Sequence, residues 1–299
     1  MRFAIVVAGL ALLLPHPGEQ RAFRAGVDVV ELPVSVTRND RPVAGLTVAD
    51  FELRDNGVRQ TILDLTYETV PIDVTLVVDA SASVEGALLR AIVSAAEQIR
   101  TRLRDDDRLA ILEFSERVRE RLGLTTAGAA AAVDLGPAAG WTSINDAIAT
   151  AVAMPPPTDR RQMAIVFTDG FDTMSFLDEA AVVDIARRSR TAVFIVAAAA
   201  SPTAVPKRFF DELARVTGGL VEIVPPWETT HTGNRISMRR NTYENFLDES
   251  FVRAFEAFRT RYVLRYSPDG VAPDGWHDVT VRVTRRGRHD VRSRTGYQR

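Results

Sequence analysis

The sequence contains no cysteine. That excludes disulfides, thiolate metal sites, a cysteine nucleophile and a lipid-modified amino-terminal cysteine. Histidine is nearly as scarce: four residues (His16, His231, His277, His289) are scattered along the chain and never form an H-x-x-x-H pair. Zinc prefers nitrogen and sulfur ligands, so a zinc enzyme is hard to build from this set. An excess of either charge is missing too. With a formal net charge of −2 there is no reason to expect nucleic acid, which calls for a concentrated basic surface. Arginines do gather near the end (Arg282, Arg285, Arg286, Arg288, Arg292, Arg294), where alternation along strands assigns them to a solvated face. An apolar run long enough to cross a bilayer is also lacking. After Met1-Arg2 the run ends at Leu14, before Pro15-His16-Pro17, short of the roughly 18–20 residues a span needs. It fits a secretory signal within residues 1–25. Ala22 and Ala25 make only a passable cleavage site, which leaves an uncleaved amino-terminal anchor as the alternative. The expectation is an exported protein, periplasmic, cell-surface or secreted, that meets a membrane only through such an anchor.

What is present is an ordinary globular balance, 46% hydrophobic and 25% charged over 299 residues, enough for a core and for about two domains. Residues 26–70 carry a β pattern. Val30, Leu32, Val34 and Val36 alternate with Val29, Glu31, Pro33, Ser35 and Thr37. Phe51–Arg54 and Gln60–Tyr67 follow as strands joined by the Asp55-Asn56-Gly57 turn. From Pro71 the character changes. Val74–Val78 reads as a strand buried on both faces, followed by a helix over Glu85–Leu103 and a strand over Leu109–Phe114. An alanine-rich stretch then leads to a helix over Ile144–Met154. Pro155-Pro156-Pro157 reads as a stiff connector to the next strand, Met163–Phe167. A helix (Asp178–Ser189), a strand (Ala192–Ala197), a helix (Pro206–Val216) ending at Gly218-Gly219, and a strand (Leu220–Val224) complete the alternation. Strand–helix alternation at this spacing predicts an α/β domain over residues 71–224 with a doubly wound, mostly parallel sheet. Residues 225–259 are read as a long loop (225–242) and a linking helix (243–258). The β pattern returns over 260–299 as Tyr262–Tyr266, Asp278–Thr284 and His289–Arg294. Neither flank has enough strands for a comfortable core alone. Residues 26–70 and 260–299 are therefore expected to pair into one β-sandwich with the α/β domain inserted between them; two separate small sheets are the alternative.

The chemistry gathers at strand ends. Asp79 directly follows Val74–Val78, and Asp169 follows Met163–Phe167 with only Thr168 between. Both lie at carboxyl ends of parallel strands, where open α/β sheets place ligands. Asp79-Ala80-Ser81-Ala82-Ser83 sets three oxygen side chains at alternate positions in a loop entering a helix. Hard cations such as Mg²⁺ take oxygen ligands and keep several waters. Asp105-Asp106-Asp107, by contrast, reads as a solvated turn, because contiguous carboxylates diverge.

Asp79-x-Ser81-x-Ser83, then Gly140-x-Thr142-x-Ile144-x-Asp146-Ala147-Ile148, then Thr168-Asp169-Gly170, resembles the metal-ion-dependent adhesion site of von Willebrand factor type A domains. The resemblance implies that Ser81, Ser83 and Thr142 bind a metal directly, while Asp79 and Asp169 act through bound waters and accept hydrogen bonds from the hydroxyls. It implies Mg²⁺, with Mn²⁺ or Ca²⁺ as alternatives. Three neutral hydroxyls leave most of the cation's charge unneutralised, which favours an Asp or Glu carboxylate of a partner protein or peptide at an open position. Asp146 is read as a helix-start or supporting residue, Gly170 as a tight-turn residue, and Trp141 equally as rim or core. The flanking motifs Val43–Phe51, Tyr262–Pro268, Gly275-Trp276-His277 and Arg294–Tyr297 resemble exported von Willebrand factor A-related proteins frequent in acidobacteria, a group whose role is poorly defined. The expected function is metal-dependent protein binding, not catalysis. Ser81 stands where an aspartyl-nucleophile phosphatase needs a second carboxylate, and neither G-x-S-x-G nor a P-loop occurs. A scaffold with a vestigial metal site is the main alternative, a hydrolase the lesser one.

Overall fold

A computed structural model describes residues 29–39, 41–67, 70–154, 159–198, 205–224 and 233–299, with side chains of the last segment described from residue 245 onward. The expected signal or anchor (1–25) and the triple-proline connector lie outside the described residues. The central sheet is six-stranded. Its members are β6 (Ile72–Asp79), β7 (Arg108–Phe114), β8 (Val118–Thr126), β9 (Arg161–Thr168), β10 (Ala192–Ala197) and β11 (Leu220–Ile223), in the spatial order β11-β10-β9-β6-β7-β8. All neighbours are parallel except β8, which runs back along β7. The mostly parallel α/β fold expected of the sequence is thus present. β8, just ahead of the alanine-rich stretch, is a strand the sequence pattern does not reveal: Arg119, Glu120 and Arg121 break the apolar pattern because this edge strand is half-exposed.

β6 and β9 are buried at every position. Their side chains alternate between two cores, as the period of a strand requires. Val74, Leu76, Val78, Met163, Ile165 and Phe167 face α1 (Ala87–Arg100) and the long helix α5 (Gly233–Arg259). Val77, Ala164 and Val166 face α2 (Ile144–Ala153), α3 (Glu179–Arg188) and α4 (Lys207–Thr217). Phe251, Phe255 and Phe258 of α5 are fully buried, and Phe251 stacks on Phe167 at 6.1 Å. Each such side chain contributes roughly 1.5–3 kcal/mol through burial. The helix begins at Gly233, so residues 233–242, expected as loop, are helical; residues 225–232 lie outside the described set. Only the later turns carry the apolar stripe that makes a helix visible in sequence.

The two flanks interleave. One antiparallel sheet has the order β14 (Asp290–Ser293), β1 (Val30–Arg38), β12 (Tyr262–Tyr266), β5 (Ile62–Tyr67), with the short β2 (Arg41–Pro42) on β1. The other has the order β15 (Gly296–Gln298), β13 (Trp276–Val283), β3 (Phe51–Asp55), β4 (Val58–Gln60). The segment Gln60–Tyr67, expected as one strand, divides at Thr61: Gln60 ends β4 in one sheet and Ile62 opens β5 in the other. Leu32, Val34, Leu53, Ile62, Leu264, Tyr266 and Val279 form one core between the sheets. A polar knot crosses that core. Buried Asp55 accepts hydrogen bonds from Tyr266 (2.9 Å) and Tyr297 (2.8 Å), and pairs with buried His277 at 2.8 Å.

Arginines gather at the carboxyl ends of the helices, and two of them, Arg261 and Arg294, come from the carboxyl-terminal flank. Arg261 donates to the carbonyls of Gly218 (2.6 Å) and Ala257 (3.3 Å), at the carboxyl ends of α4 and α5. Arg161 donates to Phe258 (3.0 Å) at the end of α5, and Arg294 to Arg187 (2.7 Å) at the end of α3. Helix carboxyl ends leave carbonyls unsatisfied and carry partial negative charge, so each guanidinium meets two needs at once. Burial, with Arg161 and Arg292 nearby, pushes Arg261 down to about 9, still protonated at neutral pH. Its face lies against Phe194 and Phe258, about 5 Å from each ring. Arg294 therefore departs from the solvated face expected of the carboxyl-terminal arginines, whereas Arg282, Arg285, Arg286, Arg288 and Arg292 are exposed. Gly218 takes φ +75, and a Cβ there would meet the Arg294 nitrogen at 2.6 Å, so glycine is required on both counts.

Asp107 corrects a second expectation. Asp105 and Asp106 are exposed, but Asp107 is fully buried. Its carboxylate accepts from the amides of Ile72 (3.0 Å) and Arg104 (2.7 Å) and pairs with Arg259. One side chain thereby ties the start of β6 to the end of α5. Asp107→Ala strands a buried guanidinium and two amides, and is expected to cost about 3–5 kcal/mol. Asp105→Ala is expected to stay within about 0.5 kcal/mol of wild type. Urea unfolding at neutral pH measures both, and equal midpoints would contradict this account.

Candidate metal centre

The sheet order reverses between β6 and β9: the chain leaves β6 toward β7, then returns to β9 on the other side. A crevice opens at the carboxyl ends of strands flanking such a switch point. Asp79 ends β6 and Thr168 ends β9, so the sequence around each strand end converges there. The Asp79–Ser83 loop is held by its backbone. The amide of Ala80 donates to Phe114 (2.8 Å), that of Ala82 to Gly140 (3.1 Å), and that of Ala139 to Ala80 (2.9 Å). These bonds bring the Gly140–Thr142 loop against the first.

Four of the five expected residues form one hydrogen-bonded chain. Asp79 Oδ1 accepts from the Ser81 amide at 2.9 Å. Ser81 and Ser83 hydroxyls lie 3.0 Å apart, and Ser83 donates to Asp169 Oδ1 at 3.0 Å. Thr142, the fifth, bonds instead to the loop after Asp169 through its backbone. Its amide donates to Thr173 Oγ1 (2.9 Å), and its carbonyl accepts from the amides of Thr173 (2.8 Å) and Met174 (3.0 Å). Exposure rises across the site: Asp79 and Ser81 are buried, Asp169 is half-buried and Ser83 is exposed. The site is thus open on one side only.

Burial pushes the Asp79 carboxyl up to about 6. Hydrogen bonds from Ser81 work against that rise, and the neighbouring Asp169 charge adds to it. Asp169 is also raised by burial, opposed by the Ser83 hydroxyl. The two carboxylates and the two serine hydroxyls, with Thr142 on the adjoining loop, offer oxygen donors of the kind a hard divalent cation takes, and a cation there would relieve the cost of the buried Asp79 charge and of its neighbour Asp169. Among the described residues no group of three or more His, Cys, Asp or Glu could hold a metal ion; here the acidic side chains come as a pair, with hydroxyls beside them.

Supporting residues clarify the individual expectations. Thr168, within the T-D-G motif, donates to Asp79 Oδ2 at 3.0 Å from a fully buried position. Asp146 accepts from the amides of Phe176 and Leu177, both at 3.0 Å, and so positions a loop as expected of a supporting residue. Trp141 is on the rim, 62% exposed. Gly170 does not need to be glycine for its conformation, since its φ is ordinary and a Cβ would meet nothing within 4 Å. Gly140 does, with φ +81. Asp172 and Thr173, which anchor the 170–177 loop, have no signal in sequence.

The sequence model of the von Willebrand factor type A domain matches residues 73–231, more than half of the chain. No curated protein matches significantly. Among solved structures, the chain is similar to a von Willebrand factor type A protein from Catenulispora acidiphila at 12% identity and a TM-score of 0.46, covering 90% of this chain and 73% of that one. It is similar to proximal thread matrix protein 1 from the mussel byssus, with zinc in its metal-ion-dependent adhesion site, at 15% identity and a TM-score of 0.46; the match covers 68% of this chain and half of that one. The conserved hypothetical protein BatB from Bacteroides thetaiotaomicron gives 13% identity, a TM-score of 0.38 and coverages of 60% and 98%.

The raised Asp79 sets a pH signature for metal-free protein. A carboxyl raised from 3.8 to about 6 favours the fold while protonated, and that stability is lost as pH rises from 3.8 through about 6. Chelator-treated wild type is expected to lose several degrees of Tm between pH 5 and pH 7 relative to Asp79→Asn, by thermal unfolding. Identical pH profiles for the two would contradict it.

Proposed function

Because the chain belongs to the von Willebrand factor type A domain family, whose members are protein-interaction modules, we propose that it is an exported, metal-dependent adhesion module that recognises a carboxylate of a partner protein. The observation that carries the reading is the continuous chain Asp79–Ser81–Ser83–Asp169 at the switch point of the sheet, with Thr142 on the adjoining loop. Asp79, Ser81, Ser83, Thr142 and Asp169 would hold Mg²⁺, or Mn²⁺ or Ca²⁺ in its place. When bound, the cation supplies positive charge at a position open to a partner's Asp or Glu. Asp79, with Thr168 and the Ser81 amide on its two oxygens, holds the loop from the buried side. Ser83 and Asp169 present the open side.

The reading is non-catalytic. The Ser81 and Ser83 hydroxyls bond to each other, and Ser83 donates to the Asp169 carboxylate; neither hydroxyl is paired with an imidazole, the usual activating base of a serine nucleophile. Both described histidines are in the sandwich, His277 on Asp55 and His289 beside Arg38. The amino-terminal apolar run supports export. Calorimetric titration with MgCl₂ and MnCl₂ is expected to show binding to wild type, weakened by about 10–100-fold in Asp79→Ala and in Ser81→Ala. A partner captured from the periplasmic or surface fraction is expected to be released by EDTA. Absence of metal binding, or an Asp79→Ala variant that binds like wild type, would overturn the proposal.

A further inference from the structure

Four large apolar side chains stand in solvent at the mouth of the metal centre. Trp141 is 62% exposed, Phe171 48%, Met174 52% and Phe176 100%. Among the described residues ten large hydrophobics are exposed, and these four fall within two short loops, the ones that carry Thr142 and Asp169. Isolated exposed apolar residues are ordinary, whereas a concentration around a polar site marks an interaction surface.

The backbone beneath them is fixed. Thr142 ties the two loops together through Thr173 and Met174. Asp172 accepts from the Asn145 amide (3.3 Å) and from the amide (3.1 Å) and hydroxyl (2.5 Å) of Ser175. Asn145 Nδ2 donates to the Leu177 carbonyl at 3.0 Å, and Asp146 accepts from the amides of Phe176 and Leu177. The loop is therefore held with its apolar side chains outward, and little order remains to be imposed when a partner docks. The same bonds turn the carboxylates of Asp146 and Asp172 inward, onto backbone amides. A partner's acidic residue approaching the metal centre is not met by those two charges.

We propose that the rim of Trp141, Phe171, Met174 and Phe176 selects the partner: a peptide segment in which one Asp or Glu is flanked, within a few residues, by large apolar side chains. The acidic residue docks at the metal centre, and its apolar neighbours cover the rim and exclude water around the contact. This rests on the metal-dependent reading above.

The test uses the full chain and a random peptide library displayed on phage, selected in Mg²⁺ and eluted with EDTA. Enriched peptides are expected to pair Asp or Glu with aromatic or aliphatic residues. A synthetic copy of an enriched peptide is expected to bind at least tenfold more weakly to Phe176→Ser and to Trp141→Ser. The Mg²⁺ affinity of both variants, measured by calorimetry, should stay within about twofold of wild type, since exposed substitutions perturb the fold little. Acidic peptides without apolar neighbours, bound equally by wild type and both variants, would overturn the rim proposal and leave metal-dependent carboxylate binding standing. Peptides that EDTA does not release would overturn the metal-dependent reading and this proposal with it.

Discussion

Parallel strands oblige their connecting helices to point one way, and that constraint organises both ends of the α/β domain. The carbonyl ends of α3, α4 and α5 collect at one edge of the sheet, where orphan acceptors and negative dipole ends would crowd without partners. Arg161, Arg261 and Arg294 meet them there. Two of these come from the carboxyl-terminal flank, so the sandwich is more than an appendage: it supplies the donors the helices lack. The opposite edge is left to the loops that follow β6 and β9. Strand direction alone thus separates a structural pole from the pole that carries the candidate metal centre.

At that second pole the polar groups are graded. Asp79 is fully buried with one hydrogen bond on each carboxylate oxygen, while Ser83, further along the hydrogen-bonded chain, reaches solvent. A buried carboxylate is an expensive anchor without a cation and a firm one with it. Placing it deepest leaves the open face to Ser83 and Asp169, beside the rim of Trp141 and Phe176. The molecule tolerates an ill-solvated group and four exposed apolar side chains within one small region, a local departure from what folding alone would select.

Legibility in the sequence tracks how local each signal is. β6 and β9 are apolar at nearly every interior position, and Asp79, Ser81 and Ser83 follow in a fixed spacing, so the strand and its site are readable together. Thr168 lies inside a recognisable tripeptide. Edge strand β8 is different, because Arg119, Glu120 and Arg121 face solvent and erase the alternation. The division of Gln60–Tyr67 between two sheets depends on where distant strands pair, which no local pattern encodes. Asp107 and Arg294 look like their exposed neighbours in sequence; only the arrival of Arg259 buries the first, and only the α3 carboxyl end draws the second partly out of solvent. The Asn145–Asp172 and Asp146–Phe176 contacts likewise join residues whose proximity the fold creates.

The interleaved sandwich has a consequence for synthesis. Glu31 and Arg265, paired across β1 and β12, are 234 positions apart. The ribosome releases β1, β3, β4 and β5 long before the strands that complete their sheets, so for the whole time the α/β domain is being made these segments expose unpaired edges. Loop closure over that distance is slow relative to helix–strand folding. The α/β domain can therefore assemble first and hold the two flanks near one another, as a clamp holds two halves of a joint. Until the last strand arrives, the early strands keep edges open to wrong pairing.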